Sequence, residues 1–351
     1  TGMAKARTGG IIVALALALL ASGCTQPSGG GNATGPATSW SINPSVTDPA
    51  IANDPLYTHL AYAPGSNDNG KLAVVLHGTS SSPLAYTELA GALRSIGFHV
   101  IVLRYSAALG TTGACPDADA LTDPDCFRTF RAETTFGAGV LDPTGHAYDH
   151  PLAFISQANS VMNRLLKVVD YLQTIAPTSG WGQFQQRTGS TCDSFNATYG
   201  ACDLVWDKVA AVGHSQGAGV ALYLGKFFPL AKVVLLSGSY DAYDLGGGNE
   251  IVAPWISEGA FATATADIRT LSHTADFGLG RIRAVEDAVG VTGAEVSVTS
   301  AAPPYGGSHR LVTSLASTCP WDSAPGHNST AVDACAPDLA YNAAWAYLAT
   351  S

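Results

Sequence analysis

The stretch that decides the fold is Lys208–Phe227, "KVAAVGHSQGAGVALYLGKF". It begins as a buried strand, "KVAAVG", and continues after Ser215 as a helix of small and apolar residues. Gly213 and Gly217 stand two residues before and two after Ser215, where a tight strand-to-helix turn needs room for passing backbone. Such a turn also places the free N–H groups of a helix start beside the serine, where they favour negative charge. The pattern therefore predicts Ser215 as a nucleophile between a strand and a helix.

The segments on either side of this turn alternate between strand and helix patterns. Buried strands are predicted at 72–76 and within "FHVIVLRYS", "AKVVLLSGS" and "IRTLSHTAD". Helical spacing follows in "LAYTELAGALRSIG", "SQANSVMNRLLKVVDYLQTIA", "LGRIRAVEDAVG" and the closing "PDLAYNAAWAYLATS". Strands joined through helices form a mostly parallel sheet with helices on both faces, so one α/β domain is predicted over 46–351. Either "EVSVTS" or "HRLVTSL" can supply its last strand.

Two long segments, 107–149 and 178–204, interrupt this alternation and are predicted as insertions, because loops of this length are usually lids or functional excursions. The first carries four acidic residues between two cysteines: Asp117, Asp119, Asp123 and Asp125. A solvated acidic loop is the favoured interpretation, and a structural calcium ion bound by carboxylate oxygens is the alternative. His146 and His150 lie in a Gly/Pro context and not on a helix, so no zinc pair is predicted.

The first residues have the pattern of an export signal. Basic Lys5 and Arg7 precede the apolar run "IIVALALALL" and small residues, which together predict a signal peptide at 1–23. The apolar run is shorter than the roughly 20 residues of a membrane-spanning helix. "ASGC" resembles a bacterial lipobox, which implies a lipid anchor on Cys24; an ordinary signal peptide is the alternative. Residues 24–45, rich in Gly, Ser, Thr and Pro, are predicted as a flexible tether.

Charge and cysteine content limit the partners and the compartment. The net charge of −10 becomes −12 when the two basic residues of 1–23 are subtracted, so the basic footprint of a nucleic-acid-binding protein is missing. The six cysteines other than Cys24 fall into local pairs, each closing a short turn-rich loop: Cys115–Cys126, Cys192–Cys202 and Cys319–Cys335. Disulfides are typical of exported proteins. We expect an envelope lipoprotein or a secreted protein, monomeric, whose only membrane contact is its lipid.

The dipeptide His77-Gly78, followed by Thr79, comes directly after the strand at 72–76. Together with "GHSQG", it makes residues 70–350 resemble the α/β-hydrolase fold family, and within it the bacterial secreted esterases, lipases and polyester hydrolases. The resemblance implies cleavage of small or polymeric carboxylic esters without a cofactor, and an oxyanion hole formed by the N–H groups of Thr79 and Gln216. His77 precedes Ser215, against the family order of serine, acid and histidine, so it is interpreted as a structural residue.

The acid of the implied triad is expected after a late strand. Asp276 ends "IRTLSHTAD" and is favoured, because the resembling family places its acid at such a strand end. Asp241 and Asp244 follow the preceding strand and are the alternatives; they would otherwise be turn formers or helix caps.

The base depends on which segment is the last strand. If it is "EVSVTS", His309 follows it; if it is "HRLVTSL", His327 lies in the next loop, between Cys319 and Cys335. We favour His327, because its distance from the closing helix is similar to that in secreted polyester hydrolases.

Two other functions stay open at this stage. One is amide or peptide cleavage by the same triad, and the other is a surface-binding module that kept the fold without activity. Aromatic side chains can line an acyl pocket, although core packing is their more common role. The candidates for such a pocket are Trp255, Trp321 and Tyr305.

Overall fold

The computed structural model describes residues 38–51, 57–187, 202–319, 326–337 and 340–351, without the side chains of Arg187 and Cys202. The predicted signal peptide, the anchor at Cys24, Trp321 and the Cys192–Cys202 disulfide lie outside the described residues. All described residues belong to one compact unit.

A central sheet organises the described part of the chain. Its strands are β1 (Ser39–Ile42), β2 (His59–Tyr62), β3 (Leu72–Leu76), β4 (His99–Leu103), β7 (Val209–His214), β8 (Lys232–Leu236), β11 (Ile268–His273), β12 (Val296–Ser297) and β13 (Arg310–Thr313). Two hairpins stand apart from it: β5 (Gln185–Arg187) with β6 (Cys202–Leu204), and β9 (Ala242–Asp244) with β10 (Glu250–Val252). The order across the sheet is β1-β2-β4-β3-β7-β8-β11-β13-β12.

The sheet is parallel from β4 to β12, while β1 pairs antiparallel with β2 and β2 pairs antiparallel with β4. Parallel strands bring their carboxyl ends to the same edge, and the loops that leave this edge are where such sheets carry their sites. The segments after β3, β7, β8, β11 and β13 therefore meet at one edge.

Helices cover both faces of the sheet. They are α1 (Pro44–Thr47), α2 (Thr87–Ser95), α3 (Thr111–Ala114), α4 (Cys126–Phe136), α5 (Val161–Ile175), α6 (Gln216–Phe227), α7 (Pro254–Ser257), α8 (Leu279–Val289) and α9 (Asn342–Thr350). Leu72, Val74 and Leu76 of β3 join one core with α4, α5 and α6, while Ala73 and Val75 join a second core with α2 and α9. This alternation along one strand confirms the predicted fold class, a mostly parallel sheet between two helical layers.

The folded domain begins earlier than predicted. Residues 24–45 were expected to be a tether, but β1 lies within them and pairs with β2, with Trp40 opposite Ala61. Ile42 of β1 is buried in the core, and Asn43 caps the short helix that follows. The alternating polar and apolar residues of "SWSI" are a strand pattern, which the high Gly and Ser content just upstream obscured.

The insertion at 107–149 is not a loop throughout, and the expectation of a loop was wrong for residues 126–136. Residues 126–136 form α4, which packs on α6 and buries Phe127, Phe130 and Phe136. Its threonines and charged residues give it a weak helical pattern, and burial of the aromatic face supplies the stability that propensity does not. The Cys115–Cys126 disulfide joins its first residue to the end of α3, and the Cys319–Cys335 disulfide is formed as well, so both pairings are confirmed.

Both candidates for the last strand form strands. β13 lies between β11 and β12, so "HRLVTSL" supplies an inner strand and "EVSVTS" supplies only a two-residue strand at the end of the strand order. His309 stands immediately before β13, and its C=O accepts from the N–H of Thr270 near the start of β11. None of the helices in the described ranges has the length and apolar composition required for crossing a bilayer.

Candidate active site

The turn at Ser215 joins β7 directly to α6 and holds the serine in a strained conformation. Ser215 has φ 55° and ψ −118°, a region that residues other than glycine rarely adopt. A side chain at Gly213 would collide with the C=O of Gly217, and one at Gly217 would collide with the C=O of Leu76. The N–H of Ser215 donates to the C=O of Leu236 at 2.9 Å. Packing and hydrogen bonding on both sides thus hold the strained residue in place.

Three of the predicted residues form one line of hydrogen bonds. The Oγ of Ser215 lies 2.9 Å from Nε2 of His327, and Nδ1 of His327 lies 2.9 Å from Oδ2 of Asp276. A carboxylate oxygen only accepts, so Nδ1 carries the imidazole proton and Nε2 is free to accept from the serine hydroxyl. His327 comes from the loop after β13 and Asp276 from the turn after β11, and both are buried.

Asp276 is held as a carboxylate by three donors. Its Oδ1 accepts from the hydroxyl of Tyr240 at 2.5 Å and from the N–H of Gly278 at 2.9 Å, while Oδ2 faces His327. Burial raises the pKa of Asp276, but the hydrogen bonds and charge of His327, with Tyr240 and Gly278, outweigh burial and lower that pKa below its ordinary value. The group that orients His327 therefore remains negatively charged.

Tyr240 is a site residue that the sequence analysis missed. Its hydroxyl oxygen also lies 2.7 Å from Nδ1 of His327, and the two rings are stacked with 5.5 Å between centroids. Its proton goes to Asp276, so its oxygen can share the Nδ1–H of His327 as a second acceptor. Burial, followed by the charge of Asp276, raises the pKa of Tyr240 and keeps the hydroxyl protonated. The sequence feature that could have identified Tyr240 is its position after β8, directly before Asp241, the alternative candidate for the acid.

Two backbone N–H groups beside Ser215 are free to bind an anion. Thr79 and Gln216 line the same cavity as Ser215, and no hydrogen bond in the described part of the chain uses the N–H of either. The hydroxyl of Thr79 donates to Oε1 of Gln216 at 2.9 Å and ties the two residues together. His77 is buried beneath them, and its Nδ1 donates to the C=O of Gly78 at 2.9 Å. Burial lowers the pKa of His77 to about 4.

The cavity in front of Ser215 is small and mostly polar. Its volume is about 260 Å³. Its described lining consists of glycines, hydroxyl and amide side chains, histidines and aromatic rings: Gly78, Thr79, Ser81, Tyr86, Gly110, Thr111, Thr112, His214, Ser215, Gln216, Tyr240, Phe277, His327 and Asn328. Phe277 is 64% exposed and its ring lies 4.9 Å from that of His327, so it stands at the rim. No leucine, isoleucine, valine or methionine belongs to this described lining.

The alternative residues lie elsewhere. His309 is at the amino end of β13, with Nδ1 3.0 Å from the hydroxyl of Thr292, so it is at the opposite edge of the sheet from Ser215. Asp244 is exposed in the β9 hairpin. Asp241 is fully buried and paired with Arg131 at 2.5 Å.

The ion pair of Arg131 and Asp241 connects the first insertion to the turn at Ser215. Arg131 comes from α4 and is as fully buried as its partner. Its Nη1 donates to the C=O of Gln216 at 3.0 Å, and its Nη2 donates to the hydroxyl of Thr111 at 3.1 Å. Asp241 in turn accepts from the indole N–H of Trp255 at 3.2 Å. The insertion thus supports the backbone behind the serine and one wall of the cavity.

Two groups of possible metal ligands lie in or beside the first insertion. Asp117 pairs with Arg281 at 2.6 Å, and the four aspartates of the acidic loop do not form a cluster of ligands in the described chain. Cys115, Cys126 and His150 do lie together, but the sulfurs are joined as a disulfide. Nδ1 of His150 accepts from the N–H of Leu152, so Nε2 carries the proton that faces the disulfide.

Two of the three aromatic candidates for an acyl pocket fall outside the cavity. Trp255 packs on Tyr223, and Tyr305 packs on Tyr347. The third, Trp321, is not among the described residues.

No protein-family model matches the sequence, and no curated protein matches it. Solved structures with a similar fold include FphF, a fluorophosphonate-binding serine hydrolase of Staphylococcus aureus, at 15% identity over 90% of this chain and 100% of that one, with a TM-score of 0.44. Esterase B from Lactobacillus rhamnosis is 13% identical over 79% of this chain and 74% of that one, with a TM-score of 0.41. Dienelactone hydrolase from Anabaena variabilis is 14% identical over 80% and 86%, with a TM-score of 0.36. The assignment of the α/β-hydrolase fold rests on the strand order of this chain and on its turn at Ser215.

The buried ion pair gives a prediction for stability. Asp241→Asn should lower the free energy of unfolding by about 3 to 5 kcal/mol, because it leaves the guanidinium of Arg131 buried without its counter-charge. Urea denaturation measures this loss. Asp244→Asn, at the exposed neighbouring position, is the matched control and should change the unfolding free energy by less than about 0.5 kcal/mol. Equal values for the two variants would show that the pair does not anchor α4.

Proposed function

We propose that the protein is a serine hydrolase that cleaves carboxylic esters through an acyl-enzyme on Ser215. The observation that carries this proposal is the continuous hydrogen-bonded line from the hydroxyl of Ser215 through His327 to Asp276, with 2.9 Å at each step. The line begins at a strained turn that faces a cavity with two free N–H groups. Nucleophile, base, orienting acid and anion site are the complete set that acyl transfer requires.

In the proposed first half-reaction, the Oγ of Ser215 attacks the ester carbonyl while Nε2 of His327 takes the hydroxyl proton. The carbonyl oxygen becomes negative and accepts from the N–H groups of Thr79 and Gln216. Asp276 stabilises the imidazolium through Nδ1–H, and Tyr240 neutralises part of the carboxylate charge. The carbon–oxygen bond of the leaving alcohol then breaks, and the alcohol departs with the proton from His327.

The second half-reaction repeats these steps with water. His327 removes a proton from water, the resulting hydroxide adds to the acyl carbon, and the same N–H groups bind the oxyanion. Collapse of this intermediate releases the carboxylic acid and returns the proton to Oγ of Ser215. Every proton transfer uses Nε2 of His327, so one imidazole serves both halves.

A fluorophosphonate probe tests the nucleophile, and ester turnover tests the base. Wild-type protein should be labelled stoichiometrically and Ser215→Ala not at all, because the probe forms its bond with an activated serine oxygen. His327→Ala should lower the ester kcat/KM by about 10³-fold or more. The matched control is His309→Ala, at the opposite edge of the sheet, which should keep the wild-type rate.

Two results would contradict this proposal. Absence of labelling in folded wild-type protein, or equal labelling of Ser215→Ala, would remove the nucleophile assignment. Loss of activity in His309→Ala with retention in His327→Ala would overturn the base assignment.

The cavity favours esters of short acyl chains. Each methylene of a longer chain gains about 0.8 kcal/mol only where an apolar wall removes it from water. The described lining includes four residues with hydroxyl groups, Thr79, Ser81, Thr111 and Thr112, and no aliphatic wall, and the cavity volume lies below the usual value of about 300 Å³ for ligand pockets. A short or hydroxylated acyl group fits such a space better than a fatty chain.

A series of p-nitrophenyl esters from acetate to laurate tests the preference for short chains. We expect kcat/KM to be highest for acetate or butyrate and to fall at least tenfold by octanoate. Thr112→Val, which replaces the hydroxyl of an exposed lining residue with a methyl group, should shift the preference toward longer chains by a few-fold. Thr350→Val on α9 is the control and should leave the profile unchanged. A kcat/KM that rises steadily to laurate would contradict a polar, short acyl site.

We also propose that the protein works in an oxidising compartment after export. The support is the pair of disulfides, Cys115–Cys126 beside the cavity wall at α3 and Cys319–Cys335 around the loop of His327. Such bonds persist outside the reducing cytosol.

A further inference from the structure

His214 immediately precedes the nucleophile and lines the same cavity, yet its side chain bonds neither the Ser215 hydroxyl nor the imidazole of His327 and makes two other hydrogen bonds. Its Nδ1 lies 2.9 Å from the hydroxyl of Tyr86, and its Nε2 lies 3.1 Å from the backbone C=O of His327. The hydroxyl of Tyr86 also lies 2.9 Å from the N–H of Gly78. Tyr86 is fully buried and His214 is 2% exposed, so water does not compete strongly for these groups.

The chemistry of these groups fixes the direction of every bond. The C=O of His327 can only accept, so Nε2 of His214 carries a proton and donates. Nδ1 of a neutral imidazole then has only a lone pair and must accept from the hydroxyl of Tyr86. The N–H of Gly78 can only donate, so the oxygen of Tyr86 accepts it. The result is a relay in one direction, from Gly78 through Tyr86 and His214 to His327.

Burial keeps both side chains in the protonation states that this relay needs. Burial, followed by the positive charge that His327 can carry, lowers the pKa of His214 to about 3. Burial raises the pKa of Tyr86 to about 12. The imidazole is therefore neutral and the phenol protonated throughout the range in which an imidazole base can work.

The relay joins the three segments on which acyl transfer depends. Gly78 precedes Thr79, the proposed anion-binding residue of the loop after β3. His214 precedes Ser215 at the end of β7, and the accepting carbonyl belongs to the base itself. A shift of about 1 Å in any of these positions is enough to lower a rate by about 100-fold. The loop that carries His327 is long, and this bond attaches its backbone directly to the strand of the nucleophile.

We propose that Tyr86 and His214 are positioning residues, which hold the anion-binding loop and the base loop in register on the nucleophile strand. This inference rests on the proposed function of the same site. It assigns no chemical step to either side chain.

Single variants test the central bond of the relay. Tyr86→Phe and His214→Gln both remove the bond between Tyr86 and His214, because a glutamine amide can occupy the position of Nε2 but not that of Nδ1; Tyr86→Phe also removes the acceptor of the Gly78 N–H. Each should lower kcat by about 10- to 100-fold with less than about a threefold change in KM, as expected for misplacement of reacting groups. In the double variant the combined loss should be smaller than the product of the two single losses, because both variants break the bond between Tyr86 and His214.

A matched variant separates positioning from a general loss of stability. Tyr347 is another buried tyrosine, and its hydroxyl donates to the C=O of Ser308 at 2.9 Å, at the amino end of β13. Tyr347→Phe should lower the thermal midpoint by an amount similar to Tyr86→Phe and leave kcat unchanged. Equal losses of kcat in both variants, or fully multiplicative losses in the double variant, would overturn the proposal.

A measurement on wild-type protein tests the relay without ester turnover. Imidazole ¹H–¹⁵N correlation spectra should show His214 neutral and protonated at Nε2 between about pH 5 and pH 8. A charged ring or protonation at Nδ1 would overturn the relay even if the variants fail to fold. If the spectra agree but wild-type protein neither labels nor hydrolyses esters, the proposed function fails while the hydrogen-bond relay stands.

Discussion

The architecture of this protein depends on the left-handed backbone of one residue, Ser215, at the junction of β7 and α6. Such a conformation costs about 1 to 3 kcal/mol and persists only where the surroundings over-determine it. Gly213 and Gly217 remove the side chains that would block the turn, and the C=O of Leu236 fixes the serine N–H from the next strand. These contacts outweigh the strain, and the strained turn places the Ser215 hydroxyl beside the first residue of α6 at the carboxyl end of β7.

A second constraint lies behind that turn. A buried guanidinium is expensive unless its donors and its charge are matched, and Arg131 meets Asp241, the C=O of Gln216 and the hydroxyl of Thr111. These contacts make α4 part of the framework behind the turn at Ser215 and not a cover over it. Because the anchoring point is the carbonyl of the residue after Ser215, a movement of the first insertion would also move the turn at Ser215.

The sequence predicted the parts of this protein that depend on local pattern. Buried strands, the turn at Ser215 and the helix after it could be recognised because each has a short, characteristic arrangement of apolar residues and glycines. Helix α4 could not, since a threonine-rich helix becomes stable only through tertiary partners. Strand β1 was missed because its four-residue alternation directly follows a segment rich in Gly and Ser. Local pattern also could not decide whether "EVSVTS" or "HRLVTSL" pairs with β11. In the structure it is β13, from "HRLVTSL", that forms the hydrogen bonds with β11.

The residues that sequence pattern could not find act through contacts with residues that are far away along the chain. Tyr240 lies 36 residues from Asp276 and 87 from His327, and only the folded sheet edge brings its hydroxyl to both. The contact of His214 with the carbonyl of His327 spans 113 residues. In each case a buried side chain has one arrangement of donors and acceptors that satisfies every group, and the same arrangement fixes a reacting group. These long-range hydrogen bonds link the burial of the site to its geometry. A buried polar group left unpaired costs more free energy than a satisfied hydrogen bond contributes, so burial itself favours the one arrangement in which all of these groups are paired.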